Sequence, residues 1–389
     1  MINNQSIKEI LQDWSFWDEM PNVGLKRQIE LPAKLHPDLA FIIQGVRRSG
    51  KSTLLAQLPS HYNLPLTHCY YCNFEDPRLL ENLDYHLLTQ IIKLARDTIP
   101  TDEPCYFFLD EIQNVKEWEK WLHMQLERPK NNYFIVTGSN SSLLSGKFAT
   151  SLTGRHLTLE LFPFSFSEYI TLFPEKKIED YLISGGFPRV MHFEHPQQLL
   201  QEYFNDIIYR DVLRSVRSRS PETLKQVAKM ALESCGSELS YRKIAGTLNL
   251  TVDTVKSYLD ACEDAYLLFS CNYFAFSEKK QLNRPKKYYP IDTGLRNAVT
   301  TITGRDLGKN FESMVFLQLR KKHKKVFYWQ EIHKGEVDFV TMDGSIIQPY
   351  QVTWDQPKAR HEKSLRYFYE AFPQAEEPIF ITPDSIEIT

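Results

Sequence analysis

A chain of 389 residues exceeds what one hydrophobic core usually serves, so two or three domains are expected. Its 42% hydrophobic and 24% charged residues are those of a soluble globular protein, which excludes a disordered chain. A net charge of −3 excludes a global pull onto nucleic acid, so any such contact must come from local basic patches.

No stretch has the apolar length of a membrane span, and no membrane partner is expected. MINNQSIKEILQDW lacks the basic and apolar regions of a secretory signal. Six cysteines in this length do not make a disulfide scaffold, and a reducing cytoplasm is the expected location. The lone CxxC of Cys69 and Cys72 lies in THCYYCNF, an expected strand. Residues three apart there point to opposite faces, so the pair cannot chelate one metal.

Residues 1–39 read as an N-terminal helical segment with Trp14, Phe16 and Trp17 as apolar anchors. From 40 to 162, the runs AFIIQ, HCYYCNF, CYFFLDE, YFIVTGS and HLTLEL alternate with helices near 51–58, 79–97 and 117–127. That alternation predicts an α/β domain with a parallel sheet and crossover helices. A helical lid and linker over 163–220, a winged helix-turn-helix over 221–291 and a small α/β domain over 292–389 are expected to follow. In the last, a helix at 308–322 precedes strands at 325–330, 336–341 and 346–353.

IIQGVRRSGKSTLL carries Gly45, Gly50, Lys51 and Ser52 in the spacing G-x-x-x-x-G-K-[ST], between an apolar strand and an amphipathic helix. Backbone N–H groups from Gly45, Val46, Arg47, Arg48, Ser49 and Gly50 through Thr53 can converge there on phosphate oxygens, beside the positive end of the helix. Lys51 is placed to bridge phosphates and Ser52 to hold Mg²⁺. CYFFLDEIQNV ends a strand at Asp110, a second Mg²⁺ ligand, and Glu111, placed to polarise an attacking water. In YFIVTGSNSS, Thr137, Ser139 and Asn140 are all candidates to sense the γ-phosphate. Arg155 can reach a neighbouring subunit's nucleotide, which requires a homo-oligomer, or pair with an acid of its own chain. Arg189 in SGGFPRV either folds over the nucleotide or belongs to an ordinary turn.

The ordered set GVRRSGKST, FFLDEIQ, VTGSN and LTGRHL resembles the AAA-type ATPases. The resemblance implies Walker A at Lys51 and Ser52, Walker B at Asp110 and Glu111, and sensor 1 at the end of the VTGSN strand. It further implies an arginine finger at Arg155 and a sensor 2 region at GGFPR, with ATP and Mg²⁺ as cofactors. With NFEDPRL, YRDVL, KKYYPIDTGL and GEVDFV added, nearly the whole chain is similar to a prokaryotic group of AAA-type ATPases. That group carries a C-terminal domain of unknown function similar to restriction endonucleases.

SELSYRKIAGTLNLTVDTVKSYL has the caps and apolar faces of a helix-turn-helix, with Ser240 and Thr251 as N-caps. Its second helix offers Thr254, Lys256 and Ser257 beside Asp253 and Asp260, a poor set for base edges. The loop with Lys279, Lys280, Arg284, Lys286 and Lys287 reads either as a phosphate-contacting wing or as a solvated loop. Arg210, Arg214 and Arg217 fall on one face of an ideal helix, with interdomain pairing the safer reading and a grip on nucleic acid or an acidic protein the rival. In the last domain Glu312 is expected to face the sheet, and Glu336 and Asp338 to share a strand face. A metal-dependent nuclease also needs a further acid and a lysine, but Gln351 and Thr353 stand there and Lys358 lies beyond the strand. A vestigial nuclease-like face without cutting activity is expected.

The expectation is therefore a Mg²⁺-dependent ATPase whose nucleotide state rearranges its C-terminal modules. A slow or non-hydrolysing ATP-dependent regulator that binds DNA or protein is the alternative, and an ATP-regulated nuclease a weaker one.

Overall fold

The computed structural model describes residues 2–15, 24–128, 130–141, 154–216, 220–301, 306–356 and 359–386. Phe16, Trp17, Arg217 and Lys358, named above, lie outside them. The chain divides into two compact units, Met1–Phe162 and Pro163–Thr389.

In the first unit the strands are β1 (Ala40–Gln44), β2 (Cys69–Asn73), β3 (Cys105–Asp110), β4 (Asn132–Gly138) and β5 (His156–Glu160). They form a parallel sheet in the order β2-β3-β4-β1-β5. Among the described residues the α-helices of the unit are α1 (Asn4–Asp13), α2 (Lys51–His61), α3 (Tyr85–Arg96) and α4 (Trp118–Glu127). Apolar residues of α1, α3 and α4, such as Ile10, Ile91 and Trp121, cover one face of the sheet. Leu54, Leu55 and Leu58 of α2 cover the other. Burial on both faces is why these strands read as continuous apolar runs rather than alternations. Cys72 sits in the first of these cores and Cys69 in the second, on opposite faces as the strand period requires. All six cysteines are buried. Trp14 packs on the core, and its indole N–H donates to Asp76 at 2.8 Å, so the N-terminal helix is fastened to this unit.

The second unit opens with α5 (Phe166–Leu172), α6 (Ile178–Ser184), α7 (Pro196–Asp206), α8 (Pro221–Glu233), α9 (Tyr241–Leu248) and α10 (Val252–Asp264). Ser240 accepts the backbone N–H of Lys243 and Thr251 that of Thr254, the two caps expected for α9 and α10. Asn249 makes the turn between them with φ of 53°. Then follow β6 (Leu268–Tyr273), α11 (Glu278–Asn283), β7 (Lys287–Pro290), α12 (Thr293–Val299), α13 (Leu307–Lys322), β8 (Val326–Glu331), β9 (Gly335–Asp343), β10 (Ile346–Val352), α14 (Ala359–Ala371) and β11 (Ile379–Ile381).

The six strands form one mixed sheet in the order β11-β10-β9-β8-β6-β7. β6 pairs with β8 in parallel through Asn272↔Phe327 and Tyr273↔Tyr328, so the hairpin read as a wing and the C-terminal strands share a sheet. The basic loop also departs from expectation. Six of its residues form α11, capped by Ser277, and Lys287 is fully buried in β7.

The arginine stripe is corrected too. Ile207–Val212 winds as a π-helix, whose wider turn breaks the i, i+4 alignment of Arg210 and Arg214. Arg210 pairs with Asp206 of its own helix at 3.6 Å. Among the described residues no helix is long and apolar enough to cross a membrane.

Candidate nucleotide site

The strand order sets β4 between β1 and β3, so residues at their carboxyl ends converge, which is where open α/β sheets bind ligands. The loop leaving β1 turns tightly. A Cβ on Gly45 would stand 2.1 Å from the Leu161 carbonyl oxygen, so only glycine fits that close approach. Gly50 adopts φ of 99° as the N-cap of α2, and Arg48 is left-handed at 71°. The Ser49 hydroxyl is buried without a hydrogen-bond partner among the described residues, a donor for an anion within the loop. Arg27, which no motif marks, braces the loop by donating to Ser49 O at 3.1 Å and to Phe162 O at 2.8 Å.

Lys51 is buried, and its ammonium donates to Gly45 O at 3.0 Å and Val46 O at 3.2 Å while lying 3.7 Å from Glu111 Oε1. Arg47 pairs with Glu75 at 2.8 Å. Asp110, at the end of β3, is wholly buried. Its Oδ2 accepts the Ser52 hydroxyl at 2.6 Å and the Tyr71 phenol at 2.5 Å, and its Oδ1 accepts the Thr137 hydroxyl. Burial, with the Glu111 charge, raises the Asp110 carboxyl above its ordinary range, and the three hydroxyls oppose that shift. Burial acts the same way on Glu111, but Lys51 and Arg47, with hydrogen bonds from Gln113 and Ser139, outweigh it and hold that carboxyl below its ordinary value.

Glu111 adopts φ of 56°, a left-handed conformation that costs about 1 kcal/mol or more for a non-glycine residue. Its backbone N–H donates to Thr137 Oγ1 at 3.0 Å, and its side chain accepts Gln113 Nε2 at 2.5 Å. Gln113 also reaches Ser139 Oγ at 3.2 Å, tying the acid to the end of β4.

Of the sensor candidates, Thr137 and Ser139 are thus brought to the two acids. Asn140 follows them at the strand end. Arg155 lies 3.8 Å from Glu127 of α4, and both side chains are partly exposed. Arg189 belongs to the second unit. There the Gly186 N–H donates to Asp292 Oδ2 at 2.6 Å, so the glycine pair serves a close turn against Asp292. Tyr71, Gln113 and Arg27 are the contributors that motif spacing misses. LDEIQ does contain Gln113, but nothing in it marks a bond to Glu111.

The donors fit the groups expected of them. Ser52 Oγ and Asp110 Oδ2 are adjacent hard oxygens of the kind Mg²⁺ prefers, and the loop offers N–H groups, Lys51 and the Ser49 hydroxyl to a phosphate chain.

In the second unit Glu312 accepts the Tyr289 phenol at 2.6 Å, and Asp338 accepts Gln351 Nε2 at 2.6 Å and Val352 N–H at 2.7 Å. These acids, with Glu336, Gln351 and Thr353, line a cavity of about 790 Å³. Glu336 pairs with Lys287, and Arg284 and Lys280 pair with Glu331, so much of the expected basic wing is neutralised inside its own unit.

A parallel sheet in this order, with such a loop and acid pair, makes the first unit an AAA-type P-loop NTPase domain, and the AAA domain family matches residues 38–170. Residues 175–306 and 307–386 match two domains of unknown function, DUF8612 and DUF4143. The chain is 31% identical to the uncharacterized protein MJ1544 of Methanocaldococcus jannaschii, over 89% of this chain and 81% of that one. It belongs to the same family. An uncharacterized protein of Haemophilus influenzae is 29% identical over 84% of this chain and 85% of its own. Among solved structures, Cdc6p from Pyrobaculum aerophilum is similar with a TM-score of 0.30 and 11% identity, covering 69% of this chain and 86% of that one. AMPPCP-bound DnaA from Aquifex aeolicus gives 0.30 and 14%, covering 68% and 89%. Likeness at those TM-scores carries no inference for this chain.

Proposed function

We propose that the first unit binds ATP with Mg²⁺ and hydrolyses it, and that the bound nucleotide sets the arrangement of the second unit's modules. The observation that carries this reading is the meeting of Lys51, Ser52, Asp110, Glu111 and Thr137 at the carboxyl ends of β1, β3 and β4. Mg²⁺, when bound, neutralises phosphate oxygens as charge develops on them. Ser52 and Asp110 are the residues that would hold it.

In this reading the phosphates take over the Lys51 ammonium from the Gly45 and Val46 carbonyls, and Lys51 then bridges the β- and γ-phosphates. The backbone N–H groups of the loop and the Ser49 hydroxyl hold the phosphate chain. Glu111 orients and polarises the attacking water, and its low proton affinity keeps it ionised for that task. Thr137 keeps Asp110 and Glu111 in register, and Ser139 links the acid to the γ-phosphate side. Arg155, freed from its long contact with Glu127, would act on a neighbouring copy's nucleotide.

One observation favours slow or gated turnover. Glu111 is held by Lys51 and Gln113, so it becomes available to a water only after nucleotide has drawn Lys51 away. The reaction proposed takes place in the cytoplasm.

Phosphate release from wild type and Lys51→Ala tests the reading. Steady release that requires Mg²⁺ and disappears in the variant is expected. Release unchanged by Lys51→Ala would place the activity elsewhere.

A further inference from the structure

Gln113 follows the acid pair in the short helical turn Ile112–Asn114. The buried side chains of Ile112 and Val115 anchor that turn, and the Val115 N–H donates to Ile112 O at 2.9 Å across it. The Gln113 amide is therefore presented from a fixed stem. Its Nε2 donates to Glu111 Oε2 at 2.5 Å and to Ser139 Oγ at 3.2 Å, which uses both amide hydrogens. Those bonds also fix which way the amide faces, because its oxygen in their place would meet the Glu111 carboxylate acceptor against acceptor. The other end of the amide, Oε1, is buried and has no hydrogen-bond donor among the described residues.

A buried acceptor without a donor is costly, so it marks a place where a donor arrives. Phosphate oxygens only accept, so they do not answer it. Once nucleotide draws Lys51 away, the Glu111 oxygen that faced the ammonium lacks a donor too. Two acceptors on side chains joined by one hydrogen bond then need donors together, and a water molecule carries two O–H groups. We propose that Gln113 Oε1 is the second acceptor for the attacking water, with Glu111 the first. This rests on the hydrolase reading of the site and adds a residue to it.

With one hydrogen on each acceptor, a lone pair of the water is left to face the γ-phosphorus. As the water oxygen bonds to that phosphorus, the bond to the β–γ bridging oxygen breaks and its electron pair leaves on the diphosphate. One proton passes to Glu111 and from there to solvent. The other stays on the new phosphate oxygen, since an amide carbonyl is too weak a base to take it; Gln113 only aims it.

Single-turnover phosphate release and ATP affinity, measured with Mg²⁺ on the full chain, test this in wild type, Gln113→Met, Glu111→Gln and the double variant. Methionine keeps the length of the side chain and removes the amide. Gln113→Met is expected to release phosphate roughly tenfold more slowly with ATP affinity kept. A group that acts on the water itself still matters when the Glu111 carboxylate is gone, whereas one acting only through Glu111 does not. The double variant is therefore expected to be slower again than Glu111→Gln. Equal rates in those two proteins would make Gln113 a holder of Glu111 alone and overturn the proposal. So would release by Gln113→Met at the wild-type rate, or a fall in ATP affinity that accounts for the lost rate. Wild type that binds ATP and releases no phosphate would overturn the hydrolase reading, and this proposal with it. Gln113→Asn, which withdraws the amide by one methylene, is read in the same way if Gln113→Met does not fold.

Discussion

At the scale of single residues, the nucleotide site separates into groups that declare themselves locally and groups that arrive from a distance. Lys51, Ser52, Asp110 and Glu111 were legible because their chemistry fixes their spacing to a loop and a strand end. Tyr71 was not, because it reaches Asp110 across 39 residues of chain and is indistinguishable in sequence from its apolar neighbours. In the proposed Mg²⁺-bound site Ser52 would hold the metal, and Tyr71 and Thr137 would aim Asp110. Tyr71→Phe removes a hydrogen bond to a charged group, a loss of about 1.5 kcal/mol, or roughly tenfold. The Mg²⁺ concentration that half-saturates nucleotide binding should rise by that factor, with Mg²⁺-free nucleotide affinity unchanged. An unshifted Mg²⁺ dependence would leave Tyr71 as packing only. Gly45→Ala should cost about 2 kcal/mol in denaturant unfolding, because its Cβ would press on the Leu161 carbonyl at 2.1 Å.

At the scale of elements, the five strands of the first sheet and the capped pair α9 and α10 were legible from apolar runs and Ser/Thr caps. The π-turn at Ile207–Val212, helix α11 and strand β11 were not, since tertiary packing rather than local pattern selects them. The SGGFPR turn shows what such packing does. Asp292 of the loop before α12 accepts the N–H groups of Gly186 at 2.6 Å and Leu295 at 2.7 Å, and burial pushes its carboxyl up to about 6 from 3.8. A raised folded-state value means that protons bind the folded form more tightly. The Asp292 contribution is therefore fully present below about 3.8 and lost as pH rises through about 6. Asp292→Asn lacks that titration, so the stability of wild type relative to the variant should shrink between those pH values, by roughly 3 kcal/mol at most. Urea melts of both proteins across the window measure it, and a constant difference would refute the assignment.

At the scale of the whole molecule, the pairing of β6 with β8 places the β6–β7 hairpin and the C-terminal strands in one sheet. A division after residue 291 therefore cuts through hydrogen-bonded strands. A fragment of residues 163–389 should unfold cooperatively, while 163–291 should not, as read by circular dichroism during heating. Reading this organisation from sequence failed at one point for a physical reason: a lysine-rich stretch signals solvent unless the acids that bury it are known. Lys287 finds its partner Glu336 on β9, 49 residues away. That Glu312, Asp338, Gln351 and Thr353 face one cavity was legible from helix and strand spacing.

The account rests most heavily on Glu111 as the group that activates water. Phosphate release at saturating ATP and Mg²⁺, measured for wild type and Glu111→Gln alongside their ATP affinities, tests this directly. The prediction is release by wild type and a fall of about 100-fold or more in the variant, with ATP affinity kept. A variant that turns over like wild type, or a wild type that binds ATP and releases no phosphate, would contradict it.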